Sequence, residues 1–180
     1  MTVVTINAVG FCAHYSQPGD WAFDFALKLS RRRPAPLHVF HFLSDPYDPE
    51  DDSAERMSDA ERAKEAIRRE KELRLYYDER AGDYLKVGFR LCEDREWTEL
   101  HRCLVIREFQ VLVLGYVGPS ATFAGRPIEE FAHSFVSPVI LVGPDRADQL
   151  RLNSRAALIA DKLGIPEGSW SLIEHQSTSG

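Results

Sequence analysis

Three glycines and an arginine raise the first chemical question. In "VLVLGYVGPSATFAGRPIEE", Val111 to Glu130, an apolar run ends at Gly115, Gly118 and Gly125 punctuate a loop, and a helical pattern opens near Arg126. A glycine-rich turn between a strand and a helix N-terminus presents backbone N–H groups and the positive end of a dipole to an anion. Ser120 and Thr122 add hydroxyls, and Arg126 adds a guanidinium able to hold an anion through two parallel hydrogen bonds. The bland reading stands beside this one: glycines at strand-to-helix turns also serve packing alone, and short hydroxyls bond their own loop backbone.

Catalytic signatures are missing. The sequence has no H-E-x-x-H helix, C-x-x-C pair, G-x-S-x-G elbow or Walker A loop. Glu129 and Glu130 are adjacent on an expected helix and point in different directions. His38 and His41 are three apart on an apolar strand, so they face opposite sides and make a poor metal pair. Cys12, Cys92 and Cys103 are far apart in the chain, which suits a reducing compartment and small buried apolar roles.

The elements that must position the loop alternate between strand and helix patterns. Strands are expected within Val3 to His14, then at Leu37 to Leu43, Tyr84 to Leu91, "VLVLG" and "SPVILVG". Between them lie "PGDWAFDFALKLS", with Asp20 as the expected N-cap, and a long helix opened by the capping box "SDAE", Ser58 to Glu61. That helix carries a stripe of Ala63, Ala66, Ile67, Leu73, Tyr76 and Tyr77, with Glu65–Arg69 and Arg68–Glu72 pairs on its wet side. "DREWTELHRCLVIREF" predicts a third helix and "RPIEEFAHSF" a short fourth. The acidic, proline-broken segment "SDPYDPEDDSAE" reads as a solvated loop. Alternation of this kind predicts a parallel sheet with helices on both faces, with ligands at the carboxyl ends of its strands.

A chain of 180 residues and net charge -6 fits one α/β domain, and its acidity predicts no nucleic-acid and no membrane partner. No apolar run approaches the ~20 residues of a membrane span, and the N-terminus has no basic n-region, so the expected location is cytoplasmic. "LSRRRPAP" is the one dense basic cluster, placed where Arg31, Arg32 and Arg33 complement a helix dipole. We expect the α/β domain over 1–144 and a helical extension over 145–180, with a helix at about 153–163 and a frayed tail.

Order and motifs together resemble the universal stress protein family over Val9 to Gly143. "LVLGYVG" resembles that family's fourth-strand glycine pair, "SPVILV" its final strand, and "VFHF", ending at Phe42, its second-strand ending. The resemblance implies an adenine nucleotide alpha-hydrolase-like sandwich with a five-stranded parallel sheet. It also implies an ATP site built from a strand-end aspartate and a G-x-x-G, nine residues, G-[ST] loop. Here only six residues separate Gly118 from Gly125, and Arg126 stands at the family's Ser/Thr position. His14 stands at the aspartate position, while Ser16 is retained.

The leading expectation is therefore a non-catalytic module that acts through dimerisation and protein interaction in a stress or regulatory response, with no cofactor and an unidentified protein partner. The resemblance implies a homodimer through the fifth strand, at Val139, Ile140, Leu141 and Val142. The alternative is a sensor that binds ATP, another adenine nucleotide or some other anion at His14, Ser16, Phe42, Gly115, Gly118, Ser120, Thr122, Gly125 and Arg126.

Overall fold

The computed structural model describes residues 6–92 and 109–173. The helix expected over 94–109 falls, but for its last residue, outside them, as does Cys103. Five parallel strands, β1 (Val9–Cys12), β2 (Leu37–Phe42), β3 (Val87–Cys92), β4 (Val111–Gly115) and β7 (Val139–Val142), lie in the order β3-β2-β1-β4-β7. A hairpin, β5 (Thr122–Phe123) and β6 (Arg126–Pro127), sits between β4 and β7 in sequence. The helices are α1 (Gln17–Arg32), α2 (Ser53–Arg56), α3 (Asp59–Ala81), α4 (Ile128–Ser134) and α5 (Ser154–Leu158).

Strand alternation divides the core between the two faces of the sheet. Val9, Phe11, Leu37, Val39, Val111, Val113, Ile140 and Val142 face α1 and α3. Cys12, Phe40, Leu112, Leu114, Val139 and Leu141 face α4 and Phe109. Phe11 is fully buried, with edge contacts at 5.6 Å to Phe23 of α1 and 5.7 Å to Tyr77 of α3. These rings bind one helical face to the sheet.

Local chemistry sets the helix ends. Ser16, not Asp20, caps α1: its Oγ accepts from the Gly19 amide at 3.0 Å, and Pro18 sits in the first turn. Asp20 stands in that turn and ties α1 to α3, accepting from the Tyr76 hydroxyl at 2.6 Å and from Arg80 at 3.0 Å. The capping box of α3 forms as the sequence implies, and so do the Glu65–Arg69 and Arg68–Glu72 pairs. Of the expected α3 stripe, Leu73 and Tyr77 are buried, whereas Ile67 is 71% exposed. With its other face turned to solvent, this helix needs only its C-terminal half in the core.

The extension differs most from expectation. Its helix spans five residues, and two strands follow the parallel sheet: β8 (Leu150–Leu152) runs antiparallel on β7, and β9 (Trp170–Leu172) runs parallel to β8. The strand expected to pair with a second copy is thus not an open edge of this sheet. Ile140, Leu141 and Val142 are already paired with Leu152, Arg151 and Leu150, and all four side chains from Val139 to Val142 are fully buried in this chain's own core. Buried Asn153 fastens the junction. Its Oδ1 accepts from the amides of Val139 and Ala156, and its Nδ2 donates to the carbonyls of Ala132 and Ser137.

Candidate functional site

The chain adds β2 and β3 on one side of β1, and β4 and β7 on the other. That reversal opens a crevice beyond the carboxyl ends of β1 and β4, the usual ligand position in such a sheet. Its floor is a close approach of helix to strand. A Cβ on Gly115 would come within 2.7 Å of the Gly19 amide nitrogen and 2.8 Å of its Cα, so this glycine lets the N-terminus of α1 lie directly on β4. Packing alone therefore accounts for Gly115.

His14 leaves the end of β1 half-buried, with Nδ1 2.8 Å from Ser16 Oγ. Burial lowers its pKa below the ordinary 6.5, partly offset by Asp45. The imidazole is thus held toward its neutral form. Against it lies Tyr47, with ring centroids 3.9 Å apart and planes tilted by 34°. The Tyr47 hydroxyl donates to the Gly115 carbonyl at 3.1 Å, and its ring meets Phe123 edge-on at 5.1 Å. One aromatic side chain therefore spans the crevice from the end of β1 to the end of β4.

Tyr47 comes from the acidic segment after β2, which folds where the sequence suggested a solvated loop. The Asp45 carboxylate accepts from the Tyr47 amide at 2.9 Å, and Asp51 accepts from the amides of Asp45 at 2.7 Å and Ser53 at 2.9 Å. Burial raises the Asp51 pKa, but these bonds outweigh it and hold the group below its ordinary range. Short carboxylates bonding backbone two residues on make turns of this sort. Acidity here is turn chemistry.

The loop after β4 folds back on itself as a hairpin. Ala124 and Gly125 take positive φ angles of 56° and 76°, and Phe123 pairs with Arg126, so they form the two-residue turn of the β5–β6 hairpin. Gly125 serves that turn. The hairpin is fixed to the segment before it, because Thr122 Oγ1 donates to the Tyr47 carbonyl at 3.2 Å and the Ala124 amide to the Pro46 carbonyl at 2.9 Å. Ser120, Gly125 and Arg126 are exposed. Gly118 has open space where a side chain would stand.

Helix α4 begins against the same hairpin, with acidic residues in its first turn. It spans seven residues, its first-turn Ile128 amide donates to the Ala121 carbonyl, and Glu129 and Glu130 occupy its first turn. Glu129 accepts a hydrogen bond from the buried Tyr116 hydroxyl and lies 3.5 Å from Arg151 of β8, whose guanidinium stacks 4.9 Å from the Tyr116 ring. Burial and the Glu129 carboxylate push Tyr116 up to about 12. The start of the post-β4 loop is thereby tied to the added strands.

Beside the crevice, a cleft of about 370 Å³ is lined by His14, His41, Asp45, Asp51, Arg68 and Arg69. Its cations are already engaged: Arg68 and Arg69 pair with Glu65, and Arg69 also donates to the Phe42 carbonyl at 2.9 Å. His41 is 3% exposed, and neither ring nitrogen has a partner among the described residues. Burial lowers its pKa to about 4. The cleft is polar without an available positive charge.

Of the sequence-derived residues, His14, Gly115 and Thr122 meet Tyr47 directly, Ser16 joins through His14 and Phe42 through Phe123, while Gly118 has open space beside it and Ser120, Gly125 and Arg126 are exposed. Tyr47 itself was missed. Its one sequence signal is an aromatic residue inside "DPYDP", where a solvated acidic loop has no use for one.

No protein-family model and no curated protein sequence matches the chain. Solved structures do. It is similar to a universal stress protein family member from Burkholderia pseudomallei, at 20% identity and a TM-score of 0.51, over 77% of this chain and 96% of that one. A universal stress protein from Archaeoglobus fulgidus is similar at 15% identity and a TM-score of 0.50, over 74% and 91% of the two chains. With five parallel strands in the order described and helices on both faces, the chain has the universal stress protein fold, in a divergent form with added strands.

Proposed function

We propose that this protein is a non-catalytic regulatory module of the universal stress protein type, which works through protein interaction and does not take ATP in the mode of that family's strand-end loop. One observation supports the reading above the others: Tyr47 fills the strand-end crevice, stacked on His14 and bonded to Gly115. The hairpin use of Gly125 and the acidic first turn of α4 support it too. An incoming triphosphate would meet carboxylates and occupied amides. In this reading the protein acts in the cytoplasm, and a second copy pairs at the outer edge of β9, since β8 already occupies β7.

The second reading is a sensor for an adenine nucleotide or another polar ligand in the adjoining cleft, favoured by the two unpartnered nitrogens of buried His41. Native mass spectrometry before and after addition of ATP, ADP and AMP with magnesium separates the two. The module reading expects no nucleotide on the wild-type chain and none on Arg126→Ala. One nucleotide per wild-type chain, lost on His41→Phe, would sink the module reading and establish the sensor. Self-association is read in the same spectra: a dimer that Leu172→Pro converts to monomer supports pairing at β9, because the Ile173 amide bonds Leu152 of β8 and the Leu172 amide therefore faces the outer edge, where proline removes a donor.

A further inference from the structure

A second cavity, of about 380 Å³, lies between α1 and the segment that follows β8. Its volume falls within the ~300–1,000 Å³ of small-molecule sites. Trp21, Phe25 and Leu29 form one wall at successive turns of α1, and Leu163, Ile165 and Pro166 face them. Leu29, Leu163 and Ile165 are buried, while Trp21 and Phe25 are half-buried and so keep apolar surface for an occupant. Nothing in the strand-end site uses these residues.

The rim has a charge pattern. Asp24, Lys28 and Arg32 stand on the adjoining stripe of α1, and Asp148 lies opposite. Both acids have cationic partners outside the cavity: Asp24 lies 3.7 Å from Arg80, and Asp148 lies 3.4 Å from Arg146. Among the described residues, neither Lys28 nor Arg32 pairs with a carboxylate. The Arg32 guanidinium lies against the opposite wall, since a Cβ on Gly164 would come within 2.0 Å of its Nη1. The two acids on the same rim disfavour a doubly charged head, whereas a single negative charge fits the unpaired lysine and arginine.

We propose that this cavity binds a small amphipathic monocarboxylate, its hydrocarbon or aryl body between Trp21, Phe25, Leu163 and Ile165 and its carboxylate on Lys28 and Arg32. The site is independent of the strand-end crevice, so the proposal stands or falls apart from the module reading.

Isothermal titration of the full chain with octanoate, 1-octanol and octylamine tests it. One octanoate per chain is expected, with octanol weaker by about tenfold or more and octylamine weaker still, because bonds to charged groups supply the difference. The double variant Lys28→Ala, Arg32→Ala changes exposed side chains and leaves the fold intact, as circular dichroism checks. It should bring octanoate down to the affinity of octanol. Trp21→Ala should weaken both ligands together. Octanol binding as tightly as octanoate, octanoate unaffected by the double variant or by Trp21→Ala, or absence of any octanoate binding would each overturn the proposal.

Discussion

The hydroxyl of Tyr47 donates to the carbonyl of Gly115 at 3.1 Å, so a residue from the segment after β2 closes the crevice at the end of β4. Removing only that bond and removing the whole ring should have separable costs. Tyr47→Phe is expected to lose about 1 kcal/mol of stability, the usual net worth of one hydrogen bond. Tyr47→Ala, which also deletes the contacts with His14 and Phe123, should lose about 2–3 kcal/mol. Urea denaturation measures both, and equal midpoints for the two variants would show that the ring contributes nothing.

Gly115, which ends β4, and Gly118, in the loop after it, should respond differently to the same change. Gly115→Ala places a methyl within 2.9 Å of Gly19 and Pro18 backbone atoms that cannot move aside without shifting α1. A loss of more than about 3 kcal/mol, or failure to fold, is expected. Gly118→Ala meets no atom within 4 Å but must adopt φ near 150°, so about 1–3 kcal/mol is expected. Thermal melts of the two variants should rank them in that order.

These two residues also mark what could be read from sequence. Strand-ending Gly115 was legible because an apolar run and a glycine are local signals, and the capping box at Ser58 was legible for the same reason. Tyr47 was not: its partners His14, Gly115 and Phe123 are brought to it by sheet order, which no local pattern encodes. The acidic residues around it resembled a solvated loop because turn-forming carboxylates and solvated carboxylates have the same composition. Strands β8 and β9 escaped because three-residue strands are too short to show alternation, and their hydrogen-bond partners lie on β7 for β8 and on β8 for β9. The form of the shortened loop escaped too, because it depends on the positive φ of Ala124, a residue type that rarely adopts it.

Asn153 makes four hydrogen bonds at a fully buried position, linking β7, α4 and α5. Asn153→Asp should be worse than Asn153→Ala, since a carboxylate oxygen would face the carbonyls of Ala132 and Ser137 where the amide now donates. Losses of about 3 kcal/mol for alanine and more for aspartate at neutral pH are expected by chemical denaturation. Raising the pH should widen the gap, as the aspartate becomes more fully ionised.

Stability should fall in mild acid partly through His41. In the unfolded chain this imidazole titrates near 6.5, whereas burial holds it near 4 in the fold. For a base with a lowered folded value, the contribution is complete above about pH 6.5 and is lost as pH falls toward 4, by up to ~1.4 kcal/mol per pH unit. His14 and His38 are shifted in the same direction by burial and add to the slope. His41→Phe should flatten the wild-type curve between pH 6.5 and 4. Urea midpoints at pH 7.5, 6 and 5 check it, and parallel curves for the two proteins would refute the assignment.

The pairing of β8 on β7 has a consequence for the order in which the chain is made. A parallel strand whose side chains are wholly buried has an open backbone edge until something covers it, and such an edge is a template for unwanted pairing. Here the cover is encoded downstream of the strand that it protects, so a growing chain completes its central sheet before it can seal it. During that interval closure waits on synthesis, and the vulnerable species is the nascent protein whose Leu150–Leu152 segment has yet to arrive.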